Sequence, residues 1–135
     1  MDMNKIMTDL EKRNVAEGFL SSLKNRDWAT LRTMTDEKAV WTLPGKSIIS
    51  GEASGVEAII RRAQTIVDFG INFELKHILI GQHGVALSLH NTARRGNLAL
   101  DEHLATVISL CDGKITAINT YLSDVELVNA FFVSV

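Results

Sequence analysis

The sequence predicts an α+β domain with its helices first and its sheet second, and three observations carry that reading. Apolar residues recur at helical spacing between residues 6 and 66, and strand-like runs replace that period from Ile71 to Leu122. No Pro/Gly-rich linker, internal repeat or low-complexity tract interrupts the chain, so residues 1–135 read as one domain. A chain of this length buries roughly two thirds of the surface it exposes when unfolded.

Ile6, Leu10, Ala16, Phe19, Leu20 and Leu23 make one face of a first helix. The segment "KNRD" ends it, and Trp28, Leu31 and Met34 mark a short second helix. "AVWTL" reads as a strand, and the single proline, Pro44, lies in the turn "TLPGKS". Ser54 with Glu57 three residues on has capping-box spacing and opens a third helix through Val56, Ile59, Ile60, Ala63 and Ile66. Four strands follow in "INFELKHILI", "VALSLHNTA", "LALDEHLATVISL" and "KITAINTYL", with Gly81, Gly84, Gly96 and Gly113 at the bends. Ser123 and Glu126 repeat the capping-box spacing and predict a last helical turn or two in "SDVELVNAFF".

Hydrophobic residues at 46%, charged residues at 22% and a net charge of −2 describe an ordinary globular protein with no electrostatic basis for binding nucleic acid or an anionic membrane. The expected partners are a small apolar molecule and a second copy of the chain. Cys111, the one cysteine, has no partner for an internal disulfide, and "MDMNKIMTDLEKRN" lacks the apolar run of a signal peptide or membrane span, so a cytoplasmic location is expected. No cofactor and no metal is expected.

Turn chemistry sets the expected register. A two-residue turn at Asp112-Gly113 puts Ala105 opposite Thr120, His103 opposite Leu122 and Val107 opposite Ile118. A turn at Arg95-Gly96 puts His90 opposite Asp101 and Ser88 opposite His103. One face then gathers Ser88, His90, Thr92, Asp101, His103, Ala105, Val107, Ile118, Thr120 and Leu122. The other gathers Leu87, Leu89, Asn91, Leu100, Glu102, Leu104, Thr106, Ile108, Asn119 and Tyr121. Both carry apolar area, whereas three short helices cover one. A homodimer through the outer sheet face, burying Leu87, Leu89, Leu104, Ile108 and Tyr121, is the expected remedy.

The helical pair ending in "RDWATLRTMTDEKAVWTLPG", the following "SGEASGVEAI" and the tail "LCDGKITAINTYLSDVELVNAFF" resemble the SnoaL-like proteins and ketosteroid isomerases of the nuclear transport factor 2 superfamily. The most specific parts are the "DGKI" hairpin with its "YLSD" and the W-x-x-P-G after the second helix. The resemblance covers almost the whole chain. It implies a cystatin-like fold: a strongly bent, mixed and mainly antiparallel sheet wrapped around three helices to form a conical pocket. The isomerase branch uses a tyrosine, an aspartate base and a strand acid, and at the matching positions this chain has Phe19, Leu43 and Ala105. It is therefore not expected to be a typical ketosteroid isomerase. The resemblance implies instead an apolar lining from Phe19, Leu23, Trp41 and Leu43, with Ala105, Ile118 and Leu122 beside them and Ser88 or Thr120 to hold a substrate oxygen.

The same alignment turns the face with His90, Asp101 and His103 toward the pocket. There an aspartate fixing an imidazole's tautomer makes a general acid or base, so His103, Asp101 and His90 are the catalytic candidates. The related epoxide hydrolases place charged residues on the same strands, but their Asp-Arg-Asp pattern is not reproduced. Two other readings stand beside this one: a solvated cross-strand pair near the Arg94 to Asn97 turn, and a metal site by ligand type alone. The functional expectation is an acid-base enzyme of isomerase, cyclase, dehydratase or hydrolase type acting on an oxygen-bearing apolar substrate. The alternative is a non-catalytic ligand-binding or dimerisation/adaptor module.

Overall fold

The computed structural model describes residues 7–134, so Ile6 of the first helical face lies outside the described residues. The described elements run α1 (Asp9–Asn25), α2 (Trp28–Met34), β1 (Thr35–Leu43), β2 (Gly51–Ser54), α3 (Val56–Asp68), β3 (Asn72–Ile80), β4 (Gly84–Arg95), β5 (Leu98–Cys111), β6 (Lys114–Leu122) and α4 (Val125–Phe131). The α+β order is as expected, with the short hairpin strand β2 added.

Local chemistry explains the helix ends. Thr8 caps α1 and forms a capping box with Glu11, and Arg26 ends the helix at φ 54°. Ala16, Phe19, Leu20 and Leu23 are buried as their spacing predicts, but Leu10 is exposed. Lys12 is buried in its stead, its Nζ donating to the carbonyls of Gly81 (2.7 Å) and Gln82 (3.0 Å), which ties α1 to the turn between β3 and β4. The capping box expected at Ser54 does not form, because Ser54 ends β2 opposite Val40 and Gly55 is the N-cap of α3 with no side-chain bond. Glu57 instead pairs with Arg32 at 2.8 Å. At α4 the cap is Asp124 rather than Ser123, accepting from the Leu127 N–H at 3.0 Å.

The strands form one open sheet in the order β2-β1-β6-β5-β4-β3, with β1 parallel to β6 and every other pair antiparallel. Irregularities between Thr35 and Val40, Leu75 and His77, and Ser109 and Leu110 interrupt the ladders, and such bulges bend and twist a sheet locally. The helices pack on one face, which supplies the core residues Leu87, Leu89, Leu100, Ile108 and Ile118. Gly84 lets β4 and β5 approach closely: a Cβ there would lie 2.0 Å from the Ile108 carbonyl oxygen of the neighbouring strand. Gly45, the glycine of W-x-x-P-G, has φ +105° and no room for a Cβ beside Asn129, whose Oδ1 accepts from the Lys46 N–H at 2.7 Å. Among the described residues no helix is long and apolar enough to cross a membrane.

The register corrects the expected faces. The Asp112-Gly113 turn forms, pairing Cys111 with Lys114, but a bulge at Thr116 adds one residue to β6. Beyond it Thr106 faces Thr120, Ile108 faces Ile118 and Leu104 faces Leu122. The other turn is Gly96-Asn97, so His90 stands opposite His103 and Thr92 opposite Asp101. That is a two-residue displacement, which preserves the face. The even residues of β6 consequently join Leu100, Glu102, Leu104, Thr106 and Ile108 on the helix-covered side. Leu87, Leu89 and Ile108, at 0%, 4% and 1% exposure, are thus core of the single chain and are not available to a dimer interface as expected; of that set Tyr121 lies outside.

Candidate functional site

Between the concave sheet face and the helices lies a cavity of about 50 Å³, room for a few water molecules. Phe19, Leu23, Trp41, Leu43, Thr120 and Leu122 line it. The Phe19 ring meets Trp41 edge-on at 6.0 Å, and the Trp41 indole N–H donates to Thr120 Oγ1 at 2.9 Å, so the wall is fixed in shape and the indole is satisfied. Ile118 shares this face but is packed into the core away from the cavity.

Ser88, Ala105, His90, Asp101 and His103 do not reach the cavity. They stand on the outer sheet face, because odd residues of β5 and even residues of β4 point away from the helices. The expected placement of these five in the pocket is corrected by the β6 bulge: the residues inside are their strand neighbours, Glu102 and Thr106 on β5 and Asn91 on β4.

Glu102 is the buried charged group of this wall, 2% exposed. Its Oε2 accepts from the Ser123 backbone N–H, from Ser123 Oγ at 2.9 Å and from the Asp124 N–H at 3.1 Å. The turn into α4 therefore clamps one carboxylate oxygen. Its Oε1 is buried with no hydrogen-bond partner. Asn91 stands directly opposite on β4 and also has a buried, unpartnered Oδ1. Buried polar atoms are nearly always paired, so two orphans on residues that line one apolar cavity from paired positions mark an unfilled polar requirement. A carboxylate held by one oxygen and free at the other can accept a proton or a hydrogen bond, and the Asn91 amide can bind a substrate oxygen.

The sequence alone groups Asn91, Glu102 and Thr106 on the face opposite His103 and makes Glu102 and Thr106 the pocket residues only if the register is one residue out, although a further signal is present. In "LALDEHLATVI" the alternation Leu100, Glu102, Leu104, Thr106, Ile108 puts Glu102 in phase with apolar residues, which a solvated strand face would not do.

The outer cluster has its own order. His90 Nε2 lies 2.6 Å from Asp101 Oδ1, and His90 Nδ1 lies 3.3 Å from Glu74 Oε1 on β3. The rings of His90 and His103 stack at 4.3 Å, 4° from parallel. The Asp101 hydrogen bond, with a smaller contribution from Glu74, raises the His90 pKa above the ordinary histidine value. His77 and His83 are exposed.

No family model matches the sequence, and no curated protein matches it significantly. Solved structures do match the fold. Bal32a from a soil-derived mobile gene cassette is 28% identical, with 90% of this chain and 98% of that one covered at a TM-score of 0.80. An NTF2-like protein from Burkholderia xenovorans LB400 is 18% identical, with 93% and 98% covered at 0.82. An LEH-like epoxide hydrolase of M. tuberculosis is 20% identical, with 91% and 90% covered at 0.71.

Proposed function

We propose, from a fold shared with nuclear transport factor 2-like proteins, that this chain is a cytoplasmic small-molecule enzyme whose cavity takes an oxygen-bearing, largely apolar substrate. Glu102 is the acid-base group in this reading. One observation carries it: a buried carboxylate in the cavity wall is locked through Oε2 by three donors while its Oε1 is buried without a partner. Position and enclosure are what a general base needs, and the lock keeps Oε1 aimed while a proton moves. Asn91 would bind the substrate oxygen, and Phe19, Trp41 and Leu43 would hold its apolar body. This assigns to Glu102 the role that the sequence suggested for His103.

Two similar structures indicate which substrates to try. One is called an LEH-like epoxide hydrolase, and another, TerC, 12% identical with a TM-score of 0.76, was co-crystallised with polyporic acid. The test is a panel of small apolar epoxides, quinones and enones assayed for turnover with the wild type and Glu102→Gln. The amide keeps an oxygen for the Ser123 and Asp124 donors but cannot take a proton. Turnover of one class by the wild type, reduced about 100-fold or more in a folded Glu102→Gln, is the expected result. Equal turnover by the two would sink the assignment.

A second reading has its own observation. The three bonds to Glu102 Oε2 also fasten β5 to the turn between β6 and α4, so the cavity can serve as a binding site without chemistry; panel members that bind but are never transformed would favour it. Under either reading we propose a homodimer through the outer sheet face, presenting Ala105, Val107, Ala117, Asn119 and Tyr121. Tyr121 is 63% exposed in the single chain, an amphipathic ring suited to an interface. Sedimentation showing a monomer at micromolar concentration would remove that proposal.

A further inference from the structure

We propose that His90, Asp101 and His103 on the outer sheet face form a divalent transition-metal site of the zinc class, separate from the cavity. One ligand atom from each of the three lies within 4.8 Å of the others. A tetrahedral ion with ligands at about 2.0–2.1 Å holds neighbouring ligand atoms about 3.3 Å apart, so closing the cluster takes side-chain torsions and no movement of the strands. The backbone already does the positioning: His90 and His103 are directly paired across β4 and β5, and Asp101 is two residues along the same face.

The ligand set is chemically selective. Two imidazoles and one carboxylate suit zinc, cobalt or nickel, whereas calcium and magnesium prefer oxygen alone. Three protein ligands leave one coordination position open to water. Glu74 supplies what an isolated cluster of ligands would lack. Its Oε1 lies at hydrogen-bond distance from His90 Nδ1, and its Oε2 is held by Lys76 Nζ at 3.1 Å. A carboxylate on the far ring nitrogen orients a metal-bound histidine and fixes the tautomer that leaves Nε2 as the ligand. In the metal-free protein that Nε2 points at Asp101, 2.6 Å away, and an ion would take the place of the shared proton.

The experiment uses tag-free, chelator-treated full chain titrated with zinc against a chromophoric competitor, and with cobalt followed in the visible. The expected result is one zinc per chain with a dissociation constant on the order of 1 µM or tighter, and cobalt bands of a four- or five-coordinate site. His90→Ala and His103→Ala should each weaken zinc binding about 100-fold, and Glu74→Gln about 10- to 100-fold with the cobalt bands retained. These side chains lie on the outer face, and unchanged circular dichroism will confirm the fold of each variant. The proposal is overturned if the His90→Ala/His103→Ala double variant binds zinc as tightly as the wild type, or if wild-type binding is weaker than about 100 µM.

Discussion

Strand β5 carries two polar groups one residue apart that meet opposite environments. Glu102 points inward, is almost fully buried, and has one oxygen fixed by three donors and the other buried without a partner. Asp101 and His103 point outward, where Asp101 pairs with His90 and His103 stacks on it. A polar atom without a partner is costly when water is excluded and nearly free of cost when water is present. The inner residue is therefore the one whose presence needs a reason beyond solubility, and the outer cluster must be judged by what it can hold together.

The two faces should separate most sharply under truncation. Glu102→Ala strands the Ser123 and Asp124 donors in the interior and should cost roughly 2–4 kcal/mol in urea unfolding, whereas His103→Ala should stay within about 0.5 kcal/mol. Equal costs would mean that the inner carboxylate is hydrated after all.

Thr120→Val tests the wall beside Glu102. It leaves the buried Trp41 N–H unpaired, an expected loss of about 1–3 kcal/mol. Thr92→Val, the same change on the outer face, should be close to neutral. Gly84→Ala probes the close approach of β4 to β5, where the new Cβ would meet the Ile108 carbonyl oxygen; it should destabilise by about 1–3 kcal/mol, while Gly96→Ala, at an open turn with φ 61°, carries backbone strain alone.

The smallest effect belongs to pH. In metal-free protein the His90 ring should titrate by NMR above the ordinary histidine value, and Asp101→Asn should bring it down. The folded pKa is the raised one, so the pair's contribution to stability is fully present below the unfolded value of about 6.5. It is lost as pH rises through the folded pKa. A wild-type ring titrating no higher than that of Asp101→Asn would show that the pair does not persist in solution.

Much of this was legible in the chain. Helical spacing located the buried residues of α1, α2 and α3, glycine-marked bends separated β3 to β6, and the W-x-x-P-G and DGKI segments pointed to the bent-sheet fold. The cavity wall from Phe19, Leu23, Trp41 and Leu43 followed from the same resemblance. Even the grouping of Leu100, Glu102, Leu104, Thr106 and Ile108 on one face was read correctly, because a two-residue period depends on nothing but local geometry.

What the sequence determined by itself was thus every property that depends on neighbours in the chain: element order, periodicity, and which residues of one strand share a face. Which face looks inward was decided only in the tertiary structure. A bulge at Thr116 leaves no mark in composition, yet one extra residue exchanges the two sides of β6 and carries the expected active site from the His103 face to the Glu102 face. The reason is physical: alternation is a local property of extended backbone, whereas the choice of side depends on which face the helices bury, and that is settled by contacts between residues distant in sequence.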